Sequence, residues 1–153
     1  TIGTLDGANI EMLDAAGKDN MFIFGLNAAE VEELWLSGYR STDYYVKNPY
    51  LRRIVDYLAT GFAGESFSDL ASYLLSGHGI ADPFMCLADF ESYQLTHDEM
   101  IRAYADKDRW NRMSLLNIAG AGHFAADRAV REYADRIWHL TPLDGKNRKD
   151  NLK

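Results

Sequence analysis

The sequence is poor in cysteine, in long apolar runs and in basic residues, and each shortage excludes a class of protein. Its single cysteine, Cys86, cannot form an intramolecular disulfide, which indicates a reducing compartment. No apolar run approaches the length that spans a membrane, and no charged and then apolar leader is visible. We therefore expect a cytoplasmic protein that is not bound in a membrane.

Acidic residues outnumber basic residues in this chain. The 23 aspartates and glutamates against 16 lysines and arginines give a formal net charge of −7 and a pI near 5.0. This balance argues against nucleic acid or an anionic membrane surface as the main partner. With 153 residues, 47% of them hydrophobic, the chain is long enough for one core and too short for two clear domains. Cys86 lies in the apolar run Phe84–Ala88, which predicts a buried structural thiol.

The first 25 residues predict a strand, a helix and a second strand. Thr1–Leu5 is short and contains β-branched residues, as strands often do. Asp6 is placed to accept hydrogen bonds from the free amides of a helix over Ala8–Ala16, which Gly17 ends. Met21–Phe24 is apolar without alternation, as in a strand buried on both faces of a parallel sheet. Together they predict one βαβ unit of a doubly wound sheet, joined by a right-handed crossover.

The ligand crevice of such a sheet lies beyond the carboxyl ends of its strands, here around residues 4–9. The candidate site residues are therefore Thr4, Asp6, Gly7 and Asn9. Gly3 and Gly7 form G-x-x-x-G, which is neither the dinucleotide fingerprint nor a P-loop, so a plain turn is favoured over phosphate binding. On the pattern alone, Asp6, Asn9 and Glu11 are likewise favoured as helix-cap and helix-surface groups.

The sequence contains no evident catalytic or metal-binding set. His97, Asp98 and Glu99 are neighbours on a predicted helix and point in different directions, so a solvated helix face is favoured over a metal site. The other histidines are isolated, and no serine or cysteine has a histidine partner signalled in the sequence. The nine tyrosines and three tryptophans lie mostly at helical core spacing, which favours core packing over a sugar-stacking platform.

After the second strand the sequence predicts mainly helices. Asn27–Glu30 fits a capping box, and Asn48-Pro49 is a strong helix start. Asp82-Pro83 opens an extended apolar segment that leads into Asp89, and a break is expected at Asp106–Asp108. The helical patterns fall within residues 31–35, 51–58, 70–74, 90–104, 110–118 and 130–138. Residues 141–153 lack apolar periodicity, and we expect this tail to be disordered.

Several segments, in order along the chain, carry a family resemblance. The segments are Thr1–Glu11 (TIGTLDGANIE), Asn20–Gly25 (NMFIFG), Gly38-Tyr39, Ala88–Tyr93 (ADFESY), Trp110–Met113 (WNRM), Asn117–Ala119, Phe124–Arg128 and Tyr133–Trp138 (YADRIW). They resemble the α-glucan phosphorylases that act on glycogen, starch or maltodextrin, and the first segment looks like the one just after the cofactor lysine. One departure is Ala125-Ala126, where the family usually has serines that could cap the last helix.

The resemblance implies a two-domain enzyme of the glycosyltransferase B type. In this family phosphate cleaves the terminal α-1,4-linked glucose of a glucan to give glucose 1-phosphate with retention. Pyridoxal 5′-phosphate is held by a lysine, and its phosphate group takes part in proton transfer. That lysine and the basic residues that grip both phosphates have no counterpart in this sequence. Residues 1–140 would therefore be the C-terminal part of a Rossmann-like cofactor-binding domain, mostly helical with two short parallel strands.

The resemblance also sets what each candidate residue and partner should do. No residue here would be catalytic, would touch the cofactor directly or would bind a metal. Thr4, Asp6, Gly7 and Asn9 would instead support, from behind, the helix whose start faces the cofactor phosphate. The resemblance implies a longer enzyme of which this chain is one segment, called the parent enzyme below. It would bind α-glucan and phosphate as a homodimer, and its final helix would cross back onto the first domain. This chain alone should bind no cofactor and be inactive.

A second hypothesis comes from a different functional class. The chain could be a free-standing, non-catalytic binding or interaction module that keeps half of a Rossmann-like fold. The reading frame upstream of Thr1 separates the two, because a lysine in a glycine-rich segment there supports the enzyme and an initiator methionine supports the module.

Overall fold

The structure, a computed structural model, describes residues 1–77 and 79–141. Within them helix greatly outweighs strand, as the sequence predicts. The elements in chain order are β1 (Ile2–Thr4), α1 (Gly7–Ala16), β2 (Phe22–Phe24), α2 (Ala28–Leu36), α3 (Ser41–Lys47), α4 (Pro49–Thr60), α5 (Ser68–Leu75), α6 (Cys86–Ala105), α7 (Lys107–Gly120) and α8 (Ala126–Arg136), with short 3₁₀ helices at Lys18–Asn20 and Ala121–Phe124. His78 and all but the first residue of the predicted tail, 141–153, lie outside the described residues.

The two predicted strands pair in parallel, which confirms an α/β fold with helix in excess. Ile2 pairs with Phe22 and Thr4 with Phe24. Both strands are shorter than predicted, and Ile23 and Phe24 are only half-buried, since no further strand of the described residues flanks β2. α1 connects the strands and packs against α7. Gly120 permits this contact, because a Cβ there would lie 2.8 Å from the Ala15 carbonyl oxygen.

The start of α1 corrects one prediction. Asp6 occupies the N-cap position in an extended conformation, but its side chain accepts no capping hydrogen bond. The carboxylate of Asp6 is exposed to water instead. The backbone carbonyl of Asp6 accepts from the backbone amide of Asn9 at 3.0 Å. The predicted end of α1 is confirmed, since the Gly17 amide donates to the Leu13 carbonyl at 2.8 Å.

Two predicted helix starts are confirmed in their side-chain detail. Asn27 accepts from the amides of Ala29 and Glu30, while the Glu30 carboxylate accepts from the Asn27 amide, which completes a capping box. At the start of α4 the Asn48 side chain accepts from the amides of Tyr50 and Leu51, and Pro49 occupies the first helical position.

The segment before α6 contradicts the sequence prediction. Instead of running extended to Asp89, the chain turns at Met85, which is left-handed with φ 54°, and α6 begins at Cys86. The cause is the fully buried Asp82, whose carboxylate accepts from the amides of Cys86 at 2.9 Å and Leu87 at 2.8 Å. The prediction that Cys86 is buried is also wrong: it is exposed, while Met85 and Leu87 on either side enter the core.

The predicted break at Asp106 is confirmed, because Asp106 ends α6 and its carboxylate caps α7 by accepting from the Arg109 amide. Ala125 stands at the start of α8, and its side chain supplies no capping hydrogen bond. None of the helices in the described part of the chain is both long and apolar enough to cross a membrane.

Helix α6 joins two hydrophobic clusters. Leu87 at its start packs with Leu51, Val55 and Ala71 from α4 and α5. Ala103 near its end packs with Phe22 of β2 and Met113 of α7. α6 therefore fixes the strand pair relative to the helices that follow it.

Candidate functional site

A cleft of about 580 Å³ opens beyond the carboxyl ends of β1 and β2. Its walls come from the two turns that follow the strands and from the start of α6. The lining residues are Thr4, Asp6, Phe24, Leu26, Val31, Pro83, Phe84, Met85, Cys86, Asp89, Phe90 and Tyr93. This is the edge of the sheet at which ligands bind in open α/β folds, so the cleft is the candidate functional site.

The wall after β1 is held by Asn9. Its side-chain amide donates to the Thr4 carbonyl at 2.9 Å, which ties the first turn of α1 to the end of the strand. The same side chain covers Gly3, where a Cβ would lie 2.6 Å from the Asn9 Nδ2. Gly3 is therefore a close-approach position rather than part of a phosphate-binding loop.

The structure divides the four candidate residues into two pairs. Thr4 and Asp6 line the cleft, whereas Gly7 and Asn9 do not. Gly7 is exposed and starts α1 with φ 45°, a conformation that a side chain would disfavour. Asn9 is half-buried behind Thr4 and acts on the cleft only through the turn.

The wall after β2 depends on two residues that the sequence analysis did not single out for a site. Asp89 of α6 accepts from the Leu26 amide at 2.8 Å, and Ser92 accepts from the Gly25 amide at 2.9 Å. Both are on one face of α6, at the i and i+3 positions. Their partners lie 63 and 67 residues away along the chain, so no local pattern reveals the pairing.

The electrostatics of the cleft favour neutral or cationic groups over anions. Burial raises the pKa of Asp89, the Leu26 amide partly opposes this, and the carboxylates of Asp82, Asp6 and Glu30 add to the increase. Although Cys86 is exposed as a residue, partial desolvation in the cleft raises the pKa of its thiol, again with a contribution from Asp82. A thiol that holds its proton is a poor nucleophile, so Cys86 does not fit a catalytic role.

The lining does not fit pyridoxal phosphate on its own. Of the described residues that line the cleft, none is a lysine, arginine or histidine. A phosphate would meet two carboxylates and no cation, and an aldehyde would meet no amine to form a Schiff base. No three or more histidine, cysteine, aspartate or glutamate side chains within residues 1–77 and 79–141 come together as a metal site.

Comparison with known proteins identifies the family. The sequence matches the family model for carbohydrate phosphorylases over residues 1–140. The chain belongs to the carbohydrate phosphorylase family. It is 41% identical over 143 residues to the glycogen phosphorylase of Synechocystis sp. and 39% identical over 146 residues to the liver glycogen phosphorylase of Homo sapiens. These alignments cover 94% and 95% of this chain and 17% of each relative.

A third relative, the glycogen phosphorylase of Haemophilus influenzae, is 40% identical over 143 residues, again 94% of this chain and 17% of the relative. The chain thus spans about a sixth of the length of the curated phosphorylases it matches.

Proposed function

We propose that residues 1–140 are the C-terminal part of the cofactor-binding domain of a cytoplasmic α-glucan phosphorylase of the glycogen phosphorylase type. The observation that carries the proposal is the identity of about 40% to glycogen phosphorylases over more than nine-tenths of the chain. The parallel strand pair with a helical crossover and a cleft at its carboxyl edge supports a Rossmann-like half of a glycosyltransferase B enzyme.

In the parent enzyme, phosphate would release glucose 1-phosphate from the ends of an α-1,4-glucan with retention. The substrate partners are α-glucan and phosphate, the cofactor is pyridoxal 5′-phosphate, and the assembly is a homodimer. The remainder of the enzyme supplies the lysine and the phosphate-binding cations. This chain supplies the two turns, one after each strand, that shape one wall of the cleft.

Within that wall, Thr4, Asp6, Gly7 and Asn9 have a supporting role. Asn9 holds the end of β1 through the Thr4 carbonyl, and Gly7 lets the chain turn sharply into α1. Asp6 faces the cleft without a hydrogen-bonded partner at the helix start, so its carboxylate is free to meet a group of the parent. None of these residues would transfer a proton or bind the cofactor directly.

The proposal is tested by expressing the whole reading frame that contains this sequence. Purified enzyme with its cofactor is incubated with phosphate and either glycogen or maltoheptaose, and glucose 1-phosphate is measured, with cellodextrin as the β-linked control. We expect product from the α-1,4-glucans alone. A protein without this activity, from a reading frame with no lysine in a glycine-rich segment upstream of Thr1, would support the non-catalytic module instead.

A further inference from the structure

Asp89 is a buried carboxylate in the cleft wall that the proposed function leaves without a role. Only 9% of the residue is exposed, and it lies in the first turn of α6. Within the described part of the chain, no lysine, arginine or histidine forms an ion pair with it. Burial without a cationic partner disfavours the charged form of the carboxylate, and the hydrogen bond from the Leu26 amide opposes this only in part.

The hydrogen bonds of Asp89 and Ser92 go to the first two amides after β2. β2 ends at Phe24, where its register with β1 also ends, so the amides of Gly25 and Leu26 lie beyond the strand ladder. Asp89 and Ser92 take over as their acceptors, at 2.8 and 2.9 Å. The two side chains therefore clamp the turn that forms one wall of the cleft.

The fit between the turn and α6 is also steric. Gly25 has φ 81°, and a Cβ there would lie 2.5 Å from the second carboxylate oxygen of Asp89. The carboxylate thus occupies the space that a side chain at position 25 would need. The position of Asp89 therefore depends on a glycine at 25, which also suits the left-handed conformation of that residue.

We propose that Asp89 is a positioning residue for phosphorolysis, which sets the turn at Gly25 and Leu26 and thereby the cleft wall against which the substrates are held. This inference rests on the proposed function for its catalytic consequence, but the clamp itself rests on the contacts alone. Misplacing a wall residue by about 1 Å can reduce turnover by about a hundredfold, so a clamp of this kind has a measurable effect.

The test uses the whole enzyme and the variant Asp89→Ala, which removes both carboxylate oxygens and with them the acceptor of the Leu26 amide. Asp98→Ala is the matched control, since Asp98 is an exposed aspartate on the same helix outside the cleft lining. Two measurements are made: the hydrogen exchange of the amides at 25 and 26, and kcat and KM for glucan and phosphate.

For Asp89→Ala we expect exchange at Leu26 to be faster by about tenfold, and kcat to fall by about tenfold or more with each KM within about threefold. Asp98→Ala should match the wild type in both. A purely structural residue would lower the yield or melting temperature and leave kcat per folded enzyme unchanged. If Asp89→Ala fails to fold, Ser92→Ala is used, with faster exchange at Gly25 and a kcat fall of about twofold to fivefold expected.

The outcomes separate the two proposals. Exchange and kcat of Asp89→Ala equal to those of Asp98→Ala would overturn the clamp, and faster exchange with unchanged kcat would overturn its catalytic consequence. A wild-type enzyme that produces no glucose 1-phosphate would overturn the proposed function and the positioning role together, while the exchange measurement would still decide whether the clamp exists.

Discussion

At the scale of single residues, Tyr39 shows how one hydroxyl can hold two helices together. It follows α2 and donates to the Asp82 carboxylate at 2.7 Å, the same carboxylate that caps α6. We expect Tyr39→Phe to lower the free energy of unfolding by about 1–3 kcal/mol, because a buried carboxylate loses one of its donors. Tyr44→Phe, whose ring lies 5.5 Å from that of Tyr39, is the control in urea unfolding. Equal midpoints for the two variants would contradict this role.

The same residue predicts how stability depends on alkaline pH. Burial first, and the hydrogen bond and charge of Asp82 next, raise the pKa of Tyr39 far above its ordinary value of 10.0. The folded state therefore holds the proton more tightly than the unfolded state, so this stabilisation is complete below pH 10 and falls as the pH rises above it. Unfolding of the wild type between pH 9 and pH 11, roughly, should show this loss. For Tyr39→Phe the free energy of unfolding should fall less steeply over this pH range. Parallel curves for the two proteins would show that the Tyr39 hydroxyl is not the group responsible.

Gly3 predicts a steric effect at the end of β1. A Cβ at this position would lie 2.6 Å from the Asn9 Nδ2, so Gly3→Ala must displace the side chain that ties the Thr4 carbonyl. The loss of that hydrogen bond should cost about 1 kcal/mol in the free energy of unfolding. Gly122→Ala, where the added methyl group meets open space, should cost nothing. A Gly3→Ala chain as stable as the Gly122→Ala chain would show that Asn9 adjusts freely.

At the scale of elements, the capping box of α2 offers a direct test of local sequence control. Asn27→Ala removes the acceptor for two free amides and should lower the free energy of unfolding by about 1 kcal/mol. Glu32→Ala changes an exposed residue of the same helix away from its cap and should have little effect. Thermal or urea unfolding followed by circular dichroism measures the difference, and equal losses would argue against a contribution from the cap.

Helix starts were predictable where the cap and its amides are close in sequence. Asn27 and Asn48 each cap amides two and three residues ahead, so a short pattern contains the whole interaction. The start of α6 was not predictable, because Asp82 reaches Cys86 and Leu87 across a left-handed Met85. Its donor Tyr39 lies 43 residues earlier, which no local pattern records.

The same reasoning explains how much of the candidate site could be foreseen. The rule that ligands bind at the carboxyl ends of parallel strands placed the crevice at residues 4–9, and Thr4 and Asp6 do line a cleft there. The role of Asp89 and Ser92 was not predictable from the sequence, because it depends on packing between α6 and β2. Cys86 was misjudged since an apolar run indicates burial on average, whereas a helix start can turn one of its residues outward.

At the scale of the whole molecule, the composition of the cleft predicts how the chain behaves with pyridoxal phosphate. Because the described lining contains no cation and no amine, we expect no saturable adduct at a single site after borohydride reduction. Mass spectrometry of the reduced mixture measures the adduct, with the whole parent enzyme as the positive control. One stoichiometric adduct on a lysine of this chain would refute the prediction.

The large apolar side chains at the end of the described chain lack a cover. α8 makes its main contacts with the short 3₁₀ helix at Ala121–Phe124. Val130 and Tyr133 on α8, and Ile137 and Trp138 just beyond its end, are each at least half exposed. The family resemblance implies that this segment crosses back onto the first domain. That contact would bury the stripe formed by these four side chains. The exposed stripe is therefore the surface at which we expect the rest of the parent to pack.

Trp138 tests that expectation, because the residue is 56% exposed and its ring centroid lies 5.7 Å from that of Tyr133. Full burial of such a ring contributes on the order of 2–3 kcal/mol, of which this chain alone realises only a part. We expect Trp138→Ala to shift the urea midpoint of this chain slightly and to lower the activity of the parent strongly, since domain packing would lose its aromatic contact. Leu36→Ala, at another exposed apolar position, is the control in both proteins. If the chain unfolds outright without Trp138, the ring belongs to the local core and the domain contact must lie elsewhere.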